Sequence, residues 1–251
     1  MGYQPTENLE FWMTGAVAIA FALVHLYGYR LKFLDITPRS GWLSLSSGIS
    51  VAYVFIHVLP ELSNAQEDFQ AYAAILSFFE HHVYLAALVG MVAFYGLERL
   101  AKESREKNIA EGDGDVTELG VFSLHMLSFT MYNLLIGYLL LHREDSGIAG
   151  LVLYAIAIGT HLLVNDYGLR SNHKGAYQKV GRWILAAAII TGWVVGTRLD
   201  ISRAALAVVF SLLAGSIILN VLKEELPEER QSRFWIFALG AGIYAAILLS
   251  L

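Results

Sequence analysis

Eight apolar stretches, at about 11–29, 41–60, 82–97, 119–141, 148–169, 183–197, 204–222 and 234–251, partition the 251-residue chain. Of its 17 Lys and Arg and 22 Asp and Glu, only Asp166 falls inside one of them. About 20 apolar residues are needed to cross a hydrocarbon core of about 30 Å. In lipid the backbone must pair within the chain, so a span is a helix or part of a closed barrel. The alternation over about 10 residues that marks a barrel strand is absent. We expect an all-α integral membrane protein with eight transmembrane helices in a single domain over residues 1–251. The longest connection, 98–118, is predicted to be a charged cytoplasmic loop: a short solvated helix, then a turn at its Gly and Asp residues.

Composition agrees. The chain is 56% hydrophobic and 16% charged, against about 45–50% and about 25% in soluble domains. A soluble fold, a disordered chain and a disulfide-rich module are all excluded. A net charge of −5 argues against nucleic acid as a partner; the bilayer is the partner composition implies. The absence of cysteine leaves His, Asp, Glu, Asn, Met or backbone for any metal site.

Alternate connections carry 14 of the 17 Lys and Arg, and that side is predicted to be cytoplasmic. Both termini then face outward, as in a multi-pass protein of a bacterial-type inner membrane. Glu7 and Glu10, in place of basic residues, precede the first segment. It therefore reads as a retained span rather than a cleaved signal.

Segments two and seven end alike. GISVAYVFIHVLPE (Gly48 to Glu61) and GSIILNVLKEELPE (Gly215 to Glu228) share Gly and Leu-Pro-Glu at an offset of 167. By the predicted orientation they run oppositely, the signature of an inverted-topology repeat. Leu-Pro-Glu is also simply a good helix exit.

Polar groups are costly in hydrocarbon and mark bundle interiors or water-lined paths. Ser46, Ser50, Tyr53 and His57 lie within about 60° on a helical wheel. Ser216, Asn220 and Glu224 repeat at intervals of four on segment seven. Segment four has His125, Ser128 and Tyr132 on one face and Ser123, Thr130, Asn133 and Gly137 on another, so protein is expected all round it. On segment five His161 and Asn165 stack, and Asp166 lies about 140° from His161. Arg170, one turn beyond Asp166, is a candidate salt-bridge partner. Glu80, His81 and His82 could form an outer vestibule with His57 and Glu61. His25 is expected to snorkel from the inner end of segment one. His142 and His173 are expected to be solvated, and Trp12, Trp42 and Trp235 to sit in interfacial belts.

The string ending His57, Pro60, Glu61 resembles the second helix of the ZIP family of metal-ion transporters, which often carries His-x-x-Pro-Glu. The layout is similar too: eight spans, outward termini and a charged connection after segment three, with a 3+2+3 inverted repeat. The resemblance implies a metal centre from His-Asn-x-x-acid-Gly on segment four and His-Glu-x-x-His-Glu on segment five. Here segment four reads Tyr132, Asn133, Ile136 and Gly137 at the motif positions, and segment five reads His161, Leu162, Asn165 and Asp166. The implied function is carriage of a divalent cation of the zinc, iron or manganese class, along a pathway between segments two, four, five and seven. The implied metal-contacting residues are His161, Asn165, Asp166, Asn133 and Tyr132, with His125 below them and His57 and Glu224 near the mouths. The metal is cargo, and no resident cofactor is expected, although His125 or His161 could serve as an axial ligand to a haem or chlorin. With one central carboxylate, Asp166, about one positive charge of a divalent ion stays unmatched. The alternative is a ZIP-fold protein that does not transport and serves as a structural or accessory subunit, alone, as a homodimer or in a membrane complex. Enzymatic motifs such as His-x-x-x-His, Gly-x-Ser-x-Gly and a Walker loop are absent, and no enzyme is expected.

Overall fold

The computed structural model describes residues 5–30, 41–72, 82–112, 114–143, 147–225 and 233–250. Among these residues there is no strand, and nine α-helices follow one another. They are α1 (Pro5–Tyr27), α2 (Gly41–Tyr53), α3 (Leu59–Tyr72), α4 (His82–Glu111), α5 (Leu119–His142), α6 (Ile148–Ala176), α7 (Arg182–Gly196), α8 (Arg203–Glu225) and α9 (Phe234–Leu248). Among the described residues, six helical stretches are long and apolar enough to cross a bilayer, and α9 is a shorter apolar helix. The chain therefore has the make-up of an all-α, multi-pass membrane protein. Trp12, Trp42 and Trp235 are 69%, 66% and 81% exposed, as side chains that meet lipid or its interface should be.

Two connections expected between segments are themselves helical. Segment three continues through the charged sequence to Glu111. Segments five and six form one helical stretch, Ile148–Gly196, interrupted at Lys174. That residue takes φ 40° and ψ −114°, a conformation that costs a non-glycine residue about 1–3 kcal/mol. Two π-helical turns also occur, at Val54–Val58 and Tyr177–Gly181. Each inserts a wider turn, a feature frequent at functional positions.

The chain divides into two compact units. One comprises residues 1–31 and 104–200, the other 32–103 and 201–251.

In the first, α5 and α7 cross where glycine removes the side chain. A Cβ on Gly137 would strike the carbonyl oxygen of Ile189, and one on Gly192 that of Leu134. With no hydrophobic drive between helices in lipid, such backbone approach is what holds spans together. On α1, Gly15 lies under the Trp193 ring, and Trp193 Nε1 donates to Thr14 Oγ1 at 3.0 Å. Leu140, Leu151, Leu162, Leu185 and Ile189 fill the interior. Glu10 and Arg143 form an ion pair. Arg143 Nη1 donates to the Leu140 carbonyl, and Glu10 accepts the Gly147 N–H. Together they close the end of α5 and the start of α6, where backbone groups lack helical partners.

The second unit uses the same device twice. Gly48 and Gly240 bring α2 against α9, with clashes awaiting a Cβ at the Phe237 and Leu45 carbonyls. Gly90 and Gly215 bring α4 against α8, with clashes at the Leu212 and Ala87 carbonyls. Ser44, Ser47 and Ser50 of α2 are buried. Gln66 of α3 caps α4 by accepting the Val83 N–H at 3.1 Å.

Candidate functional site

The polar residues of the first unit sort into three groups.

The first is centred on His25, which is 2% exposed and does not snorkel. Its Nδ1 lies 2.8 Å from Asp166 Oδ1 of α6, and its Nε2 lies 2.9 Å from Asn133 Oδ1 of α5. Asn133 Nδ2 donates to the Phe129 carbonyl at 2.8 Å, which fixes the amide with its oxygen toward the imidazole. Tyr177 of the second π-turn donates to Asp166 Oδ1 at 2.5 Å. Asp166, read from the sequence as a central carboxylate with Arg170 as one candidate partner, is 6% exposed, with His25 and Tyr177 on one carboxylate oxygen. Its Oδ2 has no hydrogen-bond partner among the described residues and faces Gly28, where a Cβ would stand 3.7 Å away.

The second group is Tyr132, His161 and Asn165, all buried. Asn165 Nδ2 lies 3.1 Å from His161 Nε2. An amide nitrogen can only donate, so Nε2 accepts and the ring proton sits on Nδ1. The Tyr132 ring stands edge-on to His161, with centroids 6.1 Å apart. His161 Nδ1 and the Tyr132 hydroxyl have no hydrogen-bond partner among the described residues.

The third group is a chain. Thr117 Oγ1 lies 2.7 Å from His173 Nδ1, and His173 Nε2 lies 2.8 Å from His125 Nδ1. His173 is 1% exposed; it was expected in solvent, and the reason it is not is the continuation of α6 past the apolar segment. Beside it, Lys174 pairs with Asp115, and Arg105 reaches Asp115 at 2.7 Å. The two cations, Lys174 first, hold the Asp115 carboxyl below its ordinary value of 3.8. His142 is half-buried, stacked on Tyr138 at 4.2 Å, with Asp200 at 3.3 Å.

Of the predicted metal-contacting residues, Asn133 and Asp166 meet through His25, and His161 meets both Asn165 and Tyr132. His125 belongs to the histidine chain. His57 lies in the other unit, within a π-turn, stacked on Tyr53 at 4.8 Å and 3.5 Å from Glu61. The Glu224 side chain lies outside the described residues, as do Glu80, His81 and Leu226-Pro227-Glu228. Sequence reasoning missed His25 and Tyr177 as members of the centre. The one available signal was that His25 is the only histidine inside segment one.

Asp166 Oδ1 and Asn133 Oδ1 face His25, and His161 Nε2 faces Asn165. Among the described residues no group of three or more His, Cys, Asp or Glu is placed to hold a metal ion. Comparison with protein-family models, with curated proteins and with solved structures returned no match.

Proposed function

We propose that this chain is a ZIP-like membrane protein of eight spans that does not load a dehydrated divalent metal and serves as a structural or accessory membrane subunit. The observation that carries this is the closure of Asp166, the only acidic residue within the apolar segments, by His25 and Tyr177. A divalent cation needs compensating charge in a low-dielectric interior, and the central carboxylate is already matched.

Two features support the ZIP-like architecture. The stretch Ile148–Gly196 is 49 residues long, or about 70 Å of helix at about 1.5 Å per residue. That is enough for two crossings of a core of about 30 Å, divided at Lys174. The glycine crossings also pair across the offset of 167. Gly48 seats α2 on α9, and its counterpart Gly215 seats α8 on α4. An inverted repeat generates such a pair of equivalent crossings.

A second reading, weak passage of a divalent cation, is favoured by the open His161 Nδ1, Tyr132 hydroxyl and Asp166 Oδ2. Flux separates the two. Reconstituted in proteoliposomes, the protein is expected to move zinc, iron(II) or manganese no faster than empty vesicles do. Flux above that background that is lost on Asp166→Asn or His161→Ala would establish the carrier instead.

A further inference from the structure

The centre of the first unit has the form of a cation site that is already filled. Asp166 Oδ1 and Asn133 Oδ1, from two different helices, converge on one ring, at 2.8 and 2.9 Å from its two nitrogens. The Asn133 oxygen can only accept, so Nε2 must carry a proton. Asp166 Oδ1 already accepts the Tyr177 hydroxyl, and an oxygen that bears a proton of its own is a poor acceptor, so Nδ1 is the donor in its contact with Oδ1. Imidazole with both nitrogens protonated is a cation of one charge, equal and opposite to that of Asp166. His25 is 2% exposed, and in such an interior one charge without the other would be strongly unfavourable.

We infer that Asp166, Asn133 and Tyr177 form a binding site for a single positive charge of the flat, two-donor imidazolium or guanidinium class, and that His25 of α1 is its built-in occupant. This rests on the reading that the centre does not hold a divalent metal, and it adds what the centre holds instead. The ligand set explains the choice of occupant. Two oxygen acceptors on opposite sides of a planar group, with one carboxylate charge, match an imidazolium in both donor count and charge. A bare divalent ion would leave one charge unbalanced, and a neutral aromatic ring would leave at least one acceptor unpaired. His25 thereby acts as a tethered plug: any cation entering this site must displace it and must replace both hydrogen bonds.

Two measurements test this. The first uses the intact protein with 15N-labelled histidine in detergent or bilayer. At neutral pH the His25 ring, assigned through its contact with Asn133, is expected to show both nitrogens protonated. An unprotonated Nδ1, with the proton on Asp166, overturns the proposal. The second uses chemical rescue. His25→Ala is expected to unfold at lower temperature than the wild type. Imidazole at pH 6 is expected to raise its midpoint by about 2–4 °C, beyond any rise in the wild type. The rise is expected to vanish in the double variant His25→Ala, Asp166→Asn. Equal rescue by pyrazole, which is neutral at this pH, or rescue that persists without Asp166, overturns it. Neither measurement reads metal flux, so a carrier result in vesicles and a failure of the imidazolium site are separate outcomes.

Discussion

Asp166 shows how one residue inside a membrane segment is tolerated. A charge buried alone is costly, whereas a paired and hydrogen-bonded charge is stable. Asp166 has His25 and Tyr177 on its Oδ1. Removing one partner of a buried pair costs about 3–5 kcal/mol. Asp166→Asn is therefore expected to lower unfolding stability in detergent by that order. Tyr177→Phe, which removes a single hydrogen bond, should cost about 1 kcal/mol. Denaturant titration of the two variants checks the ranking. Asp115 is a contrasting case, at the end of the charged connection. Lys174 and Arg105 lower its folded pKa, so its contribution to stability is present above the ordinary value of 3.8 and is lost as pH falls through the lower folded value. Amide hydrogen exchange in residues 114–118, corrected for intrinsic rates, should show protection falling across that acid range. Asp115→Asn should remove this pH dependence.

At the level of elements, glycines rather than large side chains set which helices pair. A Cβ at Gly215 would meet the Ala87 carbonyl, whereas one at Gly96 of α4 would meet nothing within 4 Å. Gly215→Ala is expected to destabilise by about 1–3 kcal/mol through overpacking. Gly96→Ala should be neutral or stabilise by up to about 1 kcal/mol, the helix propensity gained. Thermal unfolding of the two variants side by side tests this. The helices themselves could be read from the sequence, because an uncharged run of about 20 residues in lipid has no other way to pair its backbone. The continuation of α6 through Lys174 could not. It depends on anchors distant in sequence: His173 on His125 and Thr117, and Lys174 on Asp115.

For the whole molecule, the distribution of Lys and Arg predicts both termini on the outer side. Arg143 is the only Lys or Arg in the fourth connection, and its guanidinium caps the α5–α6 turn. Cysteines introduced singly into this cysteine-free chain at Gln4 and at Arg105 should differ in intact cells. An impermeant thiol reagent is expected to label the first and not the second, and the opposite pattern would reverse the orientation. Part of the candidate centre was legible at this scale. The polar residues of segments four and five, burial on several faces of α5 and the importance of Asp166 could all be read from the sequence. The division into three groups could not, because wheel angles place residues on a face without saying which helix that face meets.

The sequence alone determined the class of protein and the helical state of its apolar runs, because in lipid backbone pairing is local and each apolar run must satisfy itself. Tertiary structure alone decided what the polar residues do. His25 lies 108 residues from Asn133 and 141 from Asp166 along the chain. Their meeting depends on how α1, α5 and α6 pack, and side-chain hydrogen bonds across that packing join the three residues in one buried cluster.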